Sequence, residues 1–131
     1  MIVVDCSYTM AMVMPDEQLP ASIHQAIEGR LVAPALWPFE VANVLRNVVR
    51  RGRLQSDEIA EVCARLDVYG IEVLGHLDVA IQQRFAAAVA HDLTAYDAAY
   101  VDLAVQRRCP LATVDSRMAA AAQRAGVTVL N

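Results

Sequence analysis

Four acidic residues of this chain stand where regular structure would aim their carboxylates at one place. Asp5 follows the apolar run Ile2 to Val4, Glu40 sits two residues after Pro38 in LWPFEVANVLRNVVRR, Asp97 sits three residues after Thr94 in LTAYDAAYVDLA, and Asp115 follows LATV. Carboxylates gathered in one small cleft repel one another, and a helix start offers only about 0.3–1 kcal/mol of compensation. A divalent cation would settle them. Mg²⁺ suits such a set because it takes hard oxygen ligands, keeps several waters and leaves positions for substrate phosphates; Mn²⁺ accepts the same ligands. The chemistry that follows is metal-assisted hydrolysis of a phosphodiester, in which the metal acidifies a bound water and neutralises charge in the transition state.

The elements that must position these acids are legible in the apolar pattern. Ile2 to Val4 reads as a strand buried on both faces, and Ser7 to Met14 as two helical turns before Pro15. Leu19 to Glu28 reads as a helix that Gly29 closes, and Leu31 to Ala33 as the second strand. Pro38 fits the first turn of the next helix, where its missing N–H is not needed; that helix carries Glu40, buries Val41, Val44, Leu45 and Val48, and stops near Gly52. Ser56 caps a helix running to about Tyr69, the two forming an exposed hairpin, and Ile71 to Leu74 is a third strand. Asp78 opens a helix from Val79 to about Ala90, and Thr94 opens the one that carries Asp97. A short link through Cys109 and Pro110 leads into the strand Leu111 to Val114, so helix and strand run antiparallel and Asp97 should face Asp115. Ser116 to Ala125 is the last helix and Val127 to Leu130 the last strand. The expected fold class is α/β, a three-layer α/β/α sandwich on a central, mostly parallel sheet. Ligands of such sheets bind beyond the carboxyl ends of the strands, the edge to which all four acids map.

Taken singly, each acid has a plainer reading. Thr94 and Asp97 satisfy the capping-box spacing, Glu40 is an ordinary first-turn acid, and Asp115 can cap the helix at Ser116. Asp5 is the hardest to explain this way, since a carboxylate behind a fully apolar strand needs a partner. Convergence on one edge favours the joint reading.

Composition narrows the alternatives. The 131 residues are expected to form one domain, 1–131, and the 56% hydrophobic content leaves apolar surface for a partner. A net charge of −4 argues against coating nucleic acid by overall field. All eleven basic residues are Arg. Three cysteines without ligand spacing read as small buried side chains, and His24, His76 and His91 show no metal pattern. Trp37, flanked by Pro34 and Pro38, reads as packing in its loop or on a dimer face. No apolar run is long enough for a membrane span and the leading residues lack a secretory pattern, so a cytoplasmic chain is expected. A strand-terminal Asp also suits phosphotransfer domains, but those depend on a Lys that the chain lacks.

The segments IVVDCS, FEVANVL, LTAYDAAYVDLA and LATVDSRM, in that order and spacing, resemble the PIN-domain nucleases and, within them, the VapC-type toxins of bacterial toxin–antitoxin pairs. The resemblance implies an Mg²⁺- or Mn²⁺-dependent endoribonuclease, a homodimer, neutralised by a cognate VapB-like antitoxin. It matches Asp5, Glu40, Asp97 and Asp115 to the acidic quartet as catalytic and metal-binding residues, with Asp5 and Asp97 the first choices for ligands. Ser7 and Thr113 match hydroxyl positions beside them, and Asn43 a polar position one turn past the Glu. Cys6 replaces a common Thr or Ser; if the strand continued past Asp5 its side chain would point away from the site. Arg46, Arg50, Arg51 and Arg117, with Arg53, Arg107 and Arg108 near them in sequence, offer an RNA-backbone path, or simply solvated faces and helix ends. A catalytically silent binding module within a repressor complex is the competing reading.

Overall fold

A computed structural model describes residues 1–131. Five strands, β1 (Ile2–Val4), β2 (Leu31–Pro34), β3 (Glu72–Leu74), β4 (Leu111–Ala112) and β5 (Val129–Leu130), form one sheet in the order β3-β2-β1-β4-β5. Every pairing is parallel, with Val3 opposite both Val32 and Leu111. Seven helices join them: α1 (Cys6–Val13), α2 (Ile23–Ile27), α3 (Trp37–Arg50), α4 (Ile59–Tyr69), α5 (Ile81–His91), α6 (Ala95–Arg107) and α7 (Ser116–Arg124).

Side chains alternate across each strand, which splits the interior into two cores. Ile2, Val4, Leu31 and Ala33 face α1 and α3, where Tyr8, Met10, Val41, Leu45 and Val48 pack. Val3, Val32 and Leu111 face the other way, onto Tyr100, Val101 and Ala104 of α6 and Met118, Ala121 and Ala122 of α7. The result is a three-layer α/β/α sandwich. Trp37 is shared by both cores and donates its indole N–H to Thr9 Oγ1 at 3.1 Å, so it packs inside the fold.

Strand order reverses direction at β1: one crossover leads to β2 on one side, and β4 lies on the other. The crevice beyond the carboxyl ends of β1 and β4 is therefore the place where loops diverge and a ligand can enter. Asp5 and Asp115 sit there.

Several boundaries differ from the sequence expectation. The helix expected from Leu19 to Glu28 is only Ile23–Ile27, because Pro20 holds the preceding chain in turns. Gly29 does not take the left-handed conformation of a helix stop; an added Cβ would lie 2.7 Å from Ile2 Cδ1, so its need is close packing against β1. Gln55, not Ser56, makes the capping box with Glu58, across a short 3₁₀ turn that precedes α4. The helix expected from Asp78 starts at Ile81 after Ala80. Both α3 and α4 pack on α1, and Arg65 Nη1 donates to Val13 O at 3.1 Å. Cys63 is exposed and Cys109 half-buried, so of the three cysteines only Cys6 is the buried side chain expected. Exposed apolar side chains form a stripe on α5, where Ile81, Phe85 and Val89 are 87%, 68% and 64% exposed at i, i+4, i+8 spacing, while α1 is buried at every residue but Ser7. No helix is long and apolar enough to cross a membrane.

Candidate active site

Asp5 ends β1 and caps α1. Its backbone is extended (φ −88°, ψ 174°), which breaks the strand and lets Oδ1 accept from Tyr8 N–H at 2.7 Å. The side chain is 2% exposed and fully engaged. Ser7 Oγ donates to Asp5 at 2.7 and 2.9 Å, and Thr113 Oγ1 donates to Oδ2 at 2.7 Å. Those hydroxyls also accept: Ser7 Oγ from Val114 N–H at 3.2 Å, Thr113 Oγ1 from Asp115 N–H at 3.0 Å. One carboxylate thus ties the ends of β1 and β4 to the starts of α1 and α7. Asp115 then caps α7, its Oδ1 accepting from the N–H groups of Arg117 and Met118, both at 2.9 Å.

The other two acids arrive from helix starts. Pro38 lies at the beginning of α3 and puts Glu40 in its first turn, half-buried, with Oε1 buried and without a hydrogen-bond partner. Thr94 caps α6 by accepting from Asp97 N–H at 3.1 Å, but the Asp97 carboxylate does not return the bond that a capping box requires. The plain reading therefore fits Asp5 and Asp115, which cap helices with their carboxylates, whereas Asp97 is a first-turn acid whose carboxylate makes no cap. That ordering inverts the sequence expectation, in which Asp5 was the acid least explained by structure.

All four acids line one cleft of about 390 Å³ with Cys6, Ser7, Met10, Val44, Val114, Met118 and a fifth acid, Glu17, which is paired with Arg53 at 3.2 Å. An adjoining open depression of about 580 Å³ shares Glu40, Val44 and Asp97 and adds Phe39, Asn43, Thr94 and Tyr96. A separate cavity of about 290 Å³ between the end of β3, α5 and α6 holds none of the four. No three acidic, histidine or cysteine side chains close round a point as a metal cage.

Burial and mutual repulsion press these carboxyls toward their neutral forms. Asp5 is pushed up to about 6, by burial first and the charge of Asp115 last, against the hydrogen bonds from Tyr8, Thr113 and Ser7. Glu40 is pushed up to about 7 by burial, then by the charges of Asp97 and Asp5. Asp97 is raised by burial and by Asp115, with Thr94 and Arg117 pulling the other way. A cluster that resists its own ionisation, made only of oxygen donors and with one buried carboxylate oxygen unpaired, fits a hard divalent cation.

Cys6 departs from expectation. The strand stops at Val4 and α1 begins at Cys6, so strand alternation no longer applies, and Cys6 both packs in the α1–α3 core and borders the cleft. It is pushed up to about 12 by burial, then by Glu40 and Asp5. Tyr100 was missed altogether, although its place one turn beyond Asp97 on the same helix was a usable signal. It is fully buried, and its phenol is raised above its ordinary range by burial and by Glu40.

The basic residues are spread unevenly. Arg46, Arg50 and Arg51 are exposed along α3, which carries Arg50 about 15 Å beyond Glu40 at 1.5 Å per residue. Arg53 is held by Asp16 and Glu17 at 3.0 and 3.2 Å. Arg107 and Arg108 lie at the far end of α6 from Asp97, away from the cleft. Arg117, in the first turn of α7, is the one whose charge is felt by Asp97.

Residues 2–124 match the PIN domain family. Ribonuclease VapC3 of Pyrobaculum aerophilum is 36% identical over 123 residues, covering 90% of this chain and 92% of its own length. Ribonuclease VapC9 of Mycobacterium tuberculosis is 36% identical over 121 residues, covering 90% and 88%. The crystal structure of PAE2754 from Pyrobaculum aerophilum superposes with a TM-score of 0.73 at 25% identity, over 98% of this chain and 89% of that one. With its parallel five-stranded sheet and four acids at the β1–β4 crevice, matched over nearly its whole length, this chain belongs to the PIN domain family.

Proposed function

We propose that this chain is a divalent-metal-dependent endoribonuclease, the toxin of a toxin–antitoxin pair neutralised by a cognate VapB-like antitoxin. The observation that carries the reading is the convergence of Asp5, Glu40, Asp97 and Asp115 on one cleft, where a buried Glu40 oxygen lacks any partner. Relatives bearing ribonuclease names over nine tenths of the chain support the substrate class.

Asp5, Glu40, Asp97 and Asp115 would hold Mg²⁺ or Mn²⁺, with Asp97 the ligand least committed elsewhere, since Asp5 and Asp115 also cap helices. When bound, the ion acidifies a water and neutralises charge on the phosphate. Glu40, at the start of α3 and half-buried beside Asp97 and Asp5, would accept a proton from the attacking water. The water oxygen then bonds to phosphorus as the P–O bond to the leaving nucleotide breaks. Ser7 and Thr113 fix the Asp5 carboxylate between two strand ends, so that its charge stays at the cleft floor. Arg117, and Arg46, Arg50 and Arg51 along α3, would follow the RNA backbone, and exposed Asn43 would contact it beside Glu40.

The exposed α5 stripe would bury itself against a second copy in a homodimer. The test of function is incubation of the purified protein with labelled RNA. Cleavage that stops in chelator and returns with Mg²⁺ or Mn²⁺ is expected; cleavage indifferent to chelator would overturn the mechanism.

A further inference from the structure

Two polar side-chain atoms in the interior have no partner, Glu40 Oε1 and Tyr100 Oη. They are complementary: a phenol O–H donates and a carboxylate oxygen accepts. They face each other: the Tyr100 hydroxyl lies close enough to the Glu40 carboxylate to pull that acid down and be raised in turn, although no hydrogen bond of full geometry joins them. Tyr100 is fully buried in the α6 core, one turn beyond Asp97, so its ring has a fixed place. Glu40 comes from α3 on the opposite layer, and its buried Oε1 makes no hydrogen bond of full geometry. Native interiors rarely leave such a donor and acceptor unjoined, and a small movement of either side chain would complete the bond.

From this geometry we infer that Tyr100 is a positioning residue for Glu40. In the working site its O–H donates to Oε1, which aims the other carboxylate oxygen into the cleft toward the water and the cation. The inference rests on the nuclease reading above. Tyr100 itself touches neither RNA nor ion.

Tyr100→Phe removes one oxygen and leaves the ring packing intact. In chelator the variant should melt at or above wild type, because the deleted hydroxyl had no partner to lose. A melting temperature clearly below wild type would show that the hydroxyl is bonded in the resting fold and would overturn the inference. With Mg²⁺, kcat should fall roughly 10–100-fold, the size seen when a group that orients a ligand is removed, while KM for RNA stays within about twofold. In a Glu40→Gln background the same substitution should cost almost nothing further, because its effect passes through the Glu40 carboxylate. An unchanged kcat in the single variant, or a full extra loss in the double variant, would overturn the role. Wild-type protein that cleaves no RNA with Mg²⁺ would defeat the nuclease reading alone. The melting comparison in chelator would still decide whether the hydroxyl is unpaired.

Discussion

At the scale of single residues, the acids divide by what else they do. Asp5 accepts from two hydroxyls and a backbone N–H, and the hydroxyls also accept backbone N–H groups, so their protons are already directed at the carboxylate. In Asp5→Asn an amide N–H₂ would face one of those donors. The variant is expected to lose cleavage and also about 1–3 kcal/mol of stability, read as a lower urea midpoint. Unchanged stability would show that the network carries little. The raised carboxyls also set a pH dependence. Asp5 goes from 3.8 to about 6 and Glu40 from 4.5 to about 7, so between those values the folded state binds more protons than the unfolded. Their contribution is fully present below the unfolded values and is lost as pH rises through the folded ones. In chelator, the urea midpoint should therefore be higher near about pH 5 than near about pH 8, and saturating Mg²⁺ should erase that advantage. A midpoint that rises with pH in chelator would contradict the clustering.

At the scale of elements, the starts of α3 and α6 and the end of β1 were legible, while β4 ends at Ala112, two residues short of the Val114 expected. The legible signals are local: Pro38, the Thr94 cap, and a short apolar run ending in Asp. The element errors came where tertiary contact decides. Gly29 serves packing against Ile2, and Cys6 borders the cleft because Asp5 caps a helix at once. Which carboxylate is free and which is committed depends on Ser7, Thr113 and their backbone donors, distant in sequence from one another, and spacing alone does not carry that. Thr94 offers an element-scale test, since it caps the helix that presents Asp97. Thr94→Ala should cost about 0.5–2 kcal/mol by urea unfolding while the Mg²⁺ response persists. A loss of metal response with no loss of stability would mean that Thr94 acts on the site and not on the helix.

At the scale of the whole molecule, the sheet edge gathers acids and α5 turns an apolar stripe outward, so the proposed chemistry and the proposed dimer contact use different elements. Phe85→Glu should convert a dimer to a monomer by light scattering and leave the melting of the monomer little changed, because the ring is 68% exposed. A wild-type monomer at high concentration would remove that surface's proposed role. The central claim is that the four carboxylates share one cation, and Asp97, which caps nothing with its carboxylate, separates ligand from cap most cleanly. The decisive measurement is four melting curves: wild type and Asp97→Asn, each in chelator and in millimolar Mg²⁺. Removing one clustered charge should let the chelated variant melt at or above wild type. Wild type should gain from Mg²⁺ by RT ln(1 + [L]/Kd), about 2.7 kcal/mol at a hundred times Kd, and the variant much less. An equal Mg²⁺-induced shift in both proteins would contradict the account.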